Sequence, residues 1–175
     1  MFYTIREPFD ANHGEPWLNY LQWLGRTNLT QVVTLDGMLC PAVTLPTTDT
    51  DGQFVSPEFA GLFTDAAFVL ERVAIFPKAV VLAALADPSP DEVLHFDDPR
   101  FAFAGYDLVD MDGIASALLN CGGFPNVFSP TELSIDSGLI SSYDRAFEIR
   151  EKLGELHSED AHADCRVWAL WRYRG

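Results

Sequence analysis

Cys165-Arg166-Val167-Trp168-Ala169-Leu170-Trp171-Arg172-Tyr173 decides the fold class. Cys165, Val167, Ala169 and Trp171 fall on one side of an extended chain, and Arg166, Trp168, Leu170 and Arg172 on the other. That is the period of two expected of a strand. The arginines predict a partly solvated second face, with Trp168 and Leu170 beneath their aliphatic stems. Just upstream, residues 142–157 carry the helical period. Tyr143, Phe147, Leu153 and Leu156, with Ala146 and Ile149 beside them, form an apolar stripe. Ser141 and Asp144 make a Ser-x-x-Asp variant of the capping box. Glu148 and Lys152 stand in the favourable i,i+4 order, worth about 0.3 kcal/mol. A helix whose stripe can cover the strand that follows predicts an α+β fold, a mainly antiparallel sheet with helices packed on one side.

Working outward, residues 79–85 are a continuous apolar run whose length favours a buried strand, with a short helix as the alternative, and 101–109 alternate. In the latter, Phe101, Phe103, Gly105, Asp107 and Val109 are expected on one face and Ala102, Ala104, Tyr106 and Leu108 on the other. Asp110-Met111-Asp112-Gly113 turns the chain into 114–119. Residues 64–76 suit a helix capped by Thr64, with Phe68, Val69, Arg72 and Val73 on or beside one stripe. Residues 16–26 suit another, with Pro16 in the first turn and Trp17, Leu18, Leu21 and Leu24 at helical spacing. Residues 30–35 read as a strand ended by the Asp36-Gly37 turn, after which 38–45 return as its partner or run past Pro41 as a loop. Residues 46–57 are the clearest loop.

The 175 residues suit one globular domain, residues 1–175, and carry 26 acidic against 11 basic side chains, a net charge of −15. Such a charge repels phosphate backbones and anionic lipid, so neither nucleic acid nor membrane is an expected partner. No apolar run approaches a bilayer span and no signal peptide is visible, which predicts a cytoplasmic protein. Cys40, Cys121 and Cys165 are an odd number at wide spacing, so reduced thiols are expected rather than a disulfide framework.

Three constellations could carry chemistry. Asn120-Cys121-Gly122-Gly123 places a thiol in a glycine-rich turn, where backbone N–H groups can lower a thiol pKa, although no context brings His13, His95, His157 or His162 beside it. Its plain alternative is a small buried thiol. His157-x4-His162-x2-Cys165 offers zinc-ligand types at a spacing unlike compact zinc sites, and no metal or cofactor is expected. Asp87, Asp91, Glu92, Asp97, Asp98, Asp107, Asp110 and Asp112 face only Arg100 between positions 87 and 112. From this stretch Asp91, Glu92, Asp97, Asp98, Asp110 and Asp112 are the expected partner-binding residues, with Phe96, Phe101 and Tyr106 as aromatic anchors or core. Acid-rich turns are the plain alternative.

The runs Leu29-Thr30-Gln31-Val32-Val33-Thr34-Leu35-Asp36-Gly37-Met38-Leu39-Cys40-Pro41, Gly105-Tyr106-Asp107-Leu108-Val109, Asn120-Cys121-Gly122-Gly123-Phe124-Pro125 and His162-Ala163-Asp164-Cys165-Arg166-Val167-Trp168-Ala169 together resemble a group of bacterial proteins of about this size that has no established activity. In size, acidity and lack of a catalytic signature the chain also resembles immunity proteins of bacterial polymorphic toxin systems. That second resemblance implies a non-enzymatic protein that neutralises a cognate toxin by occluding it with an acidic face. The alternative expectation is a small enzyme or ligand-binding domain using the loop of residues 120–125.

Overall fold

A computed structural model describes residues 1–45, 61–110, 115–120, 124 and 126–175. In chain order the elements are β1 (Phe2–Arg6), β2 (Phe9–Asp10), α1 (Glu15–Leu24), β3 (Gln31–Val32), α2 (Ala66–Val73), β4 (Val80–Ala86), α3 (Pro90–Leu94), β5 (Phe101–Val109), α4 (Tyr143–Leu156) and β6 (Arg166–Tyr173). Four strands form an antiparallel sheet in the order β1-β4-β6-β5, and β2 pairs with β3. The α+β class is therefore as the sequence implies. The loop expected at 46–57 and much of the 110–113 turn lie outside the described residues.

The central strands β4 and β6 are apolar on both faces. On the first face, Val81, Ala83, Val167, Ala169 and Trp171 join a core with Phe68 and Val69 of α2 and Ala146, Ile149 and Leu153 of α4. On the second, Leu82, Ala84, Trp168 and Leu170 pack with Val33, Leu35, Leu62 and Leu139. The partly solvated face expected for β6 is thus corrected. Trp168 and Leu170 are buried beneath irregular segments of distant sequence, and only Arg166 and Arg172, near the strand's ends, are partly exposed.

Helix ends also differ from expectation. Asp65, not Thr64, caps α2, its side chain accepting the N–H groups of Ala67 and Phe68. Ser142, not Ser141, caps α4 by accepting from Arg145 N–H. The buried stripe of α4 is Ala146, Ile149 and Leu153, while Leu156 is exposed. In α1, Tyr20 is buried and Leu18 exposed, and Gly25 ends the helix at φ +73°, where glycine is unstrained. The strand expected at 30–35 is only two residues long. Its continuation, Val33 to Leu35, covers the sheet instead of pairing into it.

One register shift sets the geometry of the rest. Phe103 pairs with Trp171 and Gly105 with Leu170, so a bulge lies between them. It moves the second half of β5 by one residue. Phe101 and Phe103 therefore share the first face with Tyr106 and Leu108, and Asp107 and Val109 turn to the second. A uniform alternation over 101–109 does not exist. Gly105 sits at φ +136°, and an added Cβ would lie 2.7 Å from Leu139 Cβ and 2.9 Å from the Ile140 carbonyl oxygen. That closeness lets Tyr106 and Ile140 exchange backbone hydrogen bonds of 2.7 and 3.0 Å at the sheet edge.

Candidate functional site

The bulge delivers Asp107 into a fully buried polar ring that sequence reasoning did not find. Asp36 Oδ1 accepts the N–H groups of Met38 and Leu39, each at 2.8 Å. Its Oδ2 accepts Ser116 N–H at 2.7 Å and Asn120 Nδ2–H at 2.9 Å. Asp107 Oδ1 accepts Ser116 Oγ–H at 2.6 Å and Leu108 N–H at 2.8 Å, and its Oδ2 accepts Thr34 Oγ1–H. Thr34 Oγ1 in turn accepts Asp36 N–H at 3.1 Å. Ser116 and Thr34 thus bridge the two aspartates from opposite sides. Thr34, Asp36, Asp107 and Ser116 are all wholly inaccessible.

Burial pushes the Asp107 carboxyl up to about 6, against the hydrogen bonds from Ser116 and Thr34 that favour its charged form. Arg6 stands nearby, buried, donating from Nε to Thr4 Oγ1 and from Nη1 to the Cys40 carbonyl, both at 3.2 Å. Burial lowers its guanidinium to about 10, opposed by Asp36 and Asp107 among the surrounding charges. Each acceptor oxygen in the ring is occupied and no substrate can reach it. Its chemistry is that of a staple, tying the 34–40 turn to β5 and to the 115–120 segment.

Asn120 points its amide inward to Asp36, so it anchors the start of the 120–125 loop. Cys121, Gly122, Gly123 and Pro125 lie outside the described residues. Phe124 is buried, its ring centroid 4.8 Å from that of His157 and 5.9 Å from that of His162. An aromatic ring thus packs against both histidines of the proposed ligand trio, and Cys165 meets His162 through the backbone, N–H to carbonyl at 3.2 Å. Among the described residues no group of three or more His, Cys, Asp or Glu is placed to hold a metal ion. Burial raises both Cys40 and Cys165 to about 12. Neither thiol is expected to react with iodoacetamide in the native protein at pH 8, and both should label once urea unfolds it. Mass spectrometry checks this, and native labelling of either would show that its burial is transient.

Searched against known proteins, the chain matches no family model, no curated protein and no solved structure.

The acidic stretch is redistributed by the fold. Asp87 lies 3.4 Å from Arg150 and 3.6 Å from Arg166. Asp98 clamps Arg100 at 2.6 Å, which holds its carboxyl below the usual range. Asp107 is buried. Glu92 is exposed but occupied. It accepts the Ser89 N–H and Oγ–H at 2.8 Å, closing a capping box at the start of α3. These bonds lower its carboxyl pKa. Asp110 is half-buried, and Asp112 lies outside the described residues. Asp91 and Asp97 are the exposed carboxylates of the stretch that neither an ion pair nor a helix cap holds among the described residues. Between them in sequence stands Leu94, 79% exposed, and β5 presents Phe103, 42% exposed. Phe96 is half-buried and Phe101 buried, and their rings pack at a tilt against Trp171 and Tyr173 respectively, with centroids 4.6 and 5.6 Å apart. The solvent-facing apolar groups here, Leu94 and Phe103, are not the aromatics that sequence singled out as anchors.

Proposed function

We propose that this chain is a cytoplasmic, immunity-type protein that binds a cognate toxin and occludes it with an acidic face. The observation that carries the reading is Leu94, a large apolar side chain 79% exposed in the same short segment that presents Asp91, Glu92 and Asp97 to solvent. A large apolar group left in water among carboxylates that no ion pair holds among the described residues supplies a desolvating centre and a steering field. Nothing in the buried ring offers a competing active site, and among the described residues no helix is long and apolar enough to cross a membrane.

Charge steering predicts a kinetic signature. Asp91→Lys combined with Asp97→Lys is expected to slow association with the toxin about tenfold at low salt and much less at physiological salt, where the screening length is about 8 Å. Dissociation should change little. Asp98 is the wrong site for this test, because its reversal also breaks the Arg100 clamp. Stopped-flow association with a partner isolated by co-purification, at two ionic strengths, measures it. An unchanged association rate at low salt would remove the docking role from this face.

A further inference from the structure

We propose that the groove between the α2–β4 turn and the end of β6 binds a small organic anion, its oxyanion head held by Arg172 and Arg174 and its apolar body lying on Val73, Phe76 and Val80. The inference goes beyond the toxin-binding reading and does not rest on it.

Two local features build the groove. After α2 the chain turns tightly into β4, with Phe76 N–H donating to the Val73 carbonyl at 2.8 Å and Ala79 N–H to the Phe76 carbonyl at 3.0 Å. That turn leaves Val73, Phe76 and Val80 only partly covered, although all three pack on the core behind them. Opposite, β6 runs to its end. Arg172 pairs with Leu82 on one side and Ala102 on the other, and Arg174 N–H continues the ladder by donating to the Arg100 carbonyl at 2.9 Å. Residues two apart on an extended chain project to the same side, so both arginines face one hollow. Ala102 contributes only a methyl group beside Arg172. The turn and the strand end enclose a groove of about 570 Å³, which the Gly175 end of the chain also borders. That volume lies within the span of small-molecule sites.

The charge pattern says what the groove would hold. Carboxylates outnumber cationic side chains 26 to 11, so an arginine left without an acceptor stands out. Every other arginine has one. Asp98 takes Arg100, Asp87 takes Arg150 and Arg166, Glu132 and Glu148 take Arg145, and Glu71 takes Arg72. Arg6 and Arg26 donate to backbone carbonyls. Among the described residues no ion pair or side-chain hydrogen bond holds Arg172 or Arg174, and both line this groove. Guanidinium forks match the planar or tetrahedral oxygens of a carboxylate or phosphate. The apolar wall a few residues away suits a hydrocarbon body attached to that head. Over the rest of the surface a net charge of −15 repels anions, which confines such binding to this place.

The probes are octanoate and octyl phosphate, which share a body and differ in the head, each titrated below its micelle-forming concentration into the full chain labelled with nitrogen-15. The expected result is a saturating shift of the Val80, Ala102, Arg172 and Arg174 amides with one or both, the tighter binder naming the preferred head. Octanol, with the same body and no charge, should bind about tenfold more weakly, the loss of one or two net charge-assisted hydrogen bonds. The Arg172→Gln, Arg174→Gln double variant should lose the anion by a similar factor, its far-UV circular dichroism unchanged. Should that variant fail to fold, Ala102→Leu replaces it, since the larger side chain fills the groove beside Arg172. Three results would overturn the inference: no saturable shift at these amides with either anion, octanol binding as tightly as both anions, or undiminished anion affinity in the folded variant. Toxin neutralisation is read separately, and its failure leaves this site standing.

Discussion

Gly105→Ala is expected to cost about 3–5 kcal/mol, the φ strain of a non-glycine residue plus overpacking. Position 105 needs glycine twice over: its φ is +136°, and a Cβ would overlap Leu139 and the Ile140 carbonyl. Relief would require Ile140 to move away from Tyr106, breaking the pair of hydrogen bonds that covers the second half of β5. Gly25→Ala is the internal control. Gly25 also has positive φ, +73°, in the left-handed helical region, but its added Cβ would meet nothing within 4 Å, so about 1 kcal/mol of strain is expected there. Urea unfolding followed by tryptophan fluorescence measures both. Equal losses for the two variants would mean that the close approach at the bulge carries no energy.

Asp36→Ala should be nearly as damaging, at about 3–5 kcal/mol, because it strands four donors at once. Met38, Leu39 and Ser116 lose the acceptor for their N–H groups, and Asn120 that for its amide. The same ring gives a pH signature through Asp107. Its folded pKa of about 6 lies above the ordinary aspartate value, so between those two values the native state holds a proton that the unfolded chain has released. Stability from this group therefore falls as pH rises through that window. It recovers on acidification, by about 1 kcal/mol between pH 7 and pH 5. Asp107→Asn should abolish that increment relative to the unsubstituted chain, whose other carboxylates titrate equally in both proteins. Identical pH dependence of the two unfolding free energies would show that Asp107 stays ionised in the folded protein.

Element identity was legible where one physical signal dominated. The apolar run of 79–85 and the alternation of 165–173 emerged as β4 and β6, and the stripe after residue 142 as α4. What escaped depended on tertiary contacts. The second sheet face is covered by Val33, Leu35, Leu62 and Leu139, and no local period announces a cover assembled from three separate segments. The bulge was hidden because Phe-Ala-Phe-Ala-Gly-Tyr-Asp-Leu-Val reads as unbroken alternation, although a glycine inside a strand is itself a bulge signal. Missing that one residue reversed the face of Asp107 and left it counted among surface charges. An aspartate between Tyr106 and Leu108, and another directly after Val32-Val33-Thr34-Leu35, stand where apolar packing is expected. Acids inside apolar runs were the available hint of a buried ring. The partner-facing residues were only partly legible, since sequence cannot show that Asp87 and Asp98 are paired or that Leu94 and Phe103 are left in water.

The account turns on neutralisation, and growth of a bacterial host expressing the partner domain that co-purifies with the chain measures it most directly. With the chain co-expressed, growth is expected to recover fully. With the Asp91→Lys and Asp97→Lys substitutions combined, recovery should be partial, the protein itself remaining folded. Growth arrest of the same depth with and without the unsubstituted chain, at matched and confirmed expression of both proteins, would contradict the account.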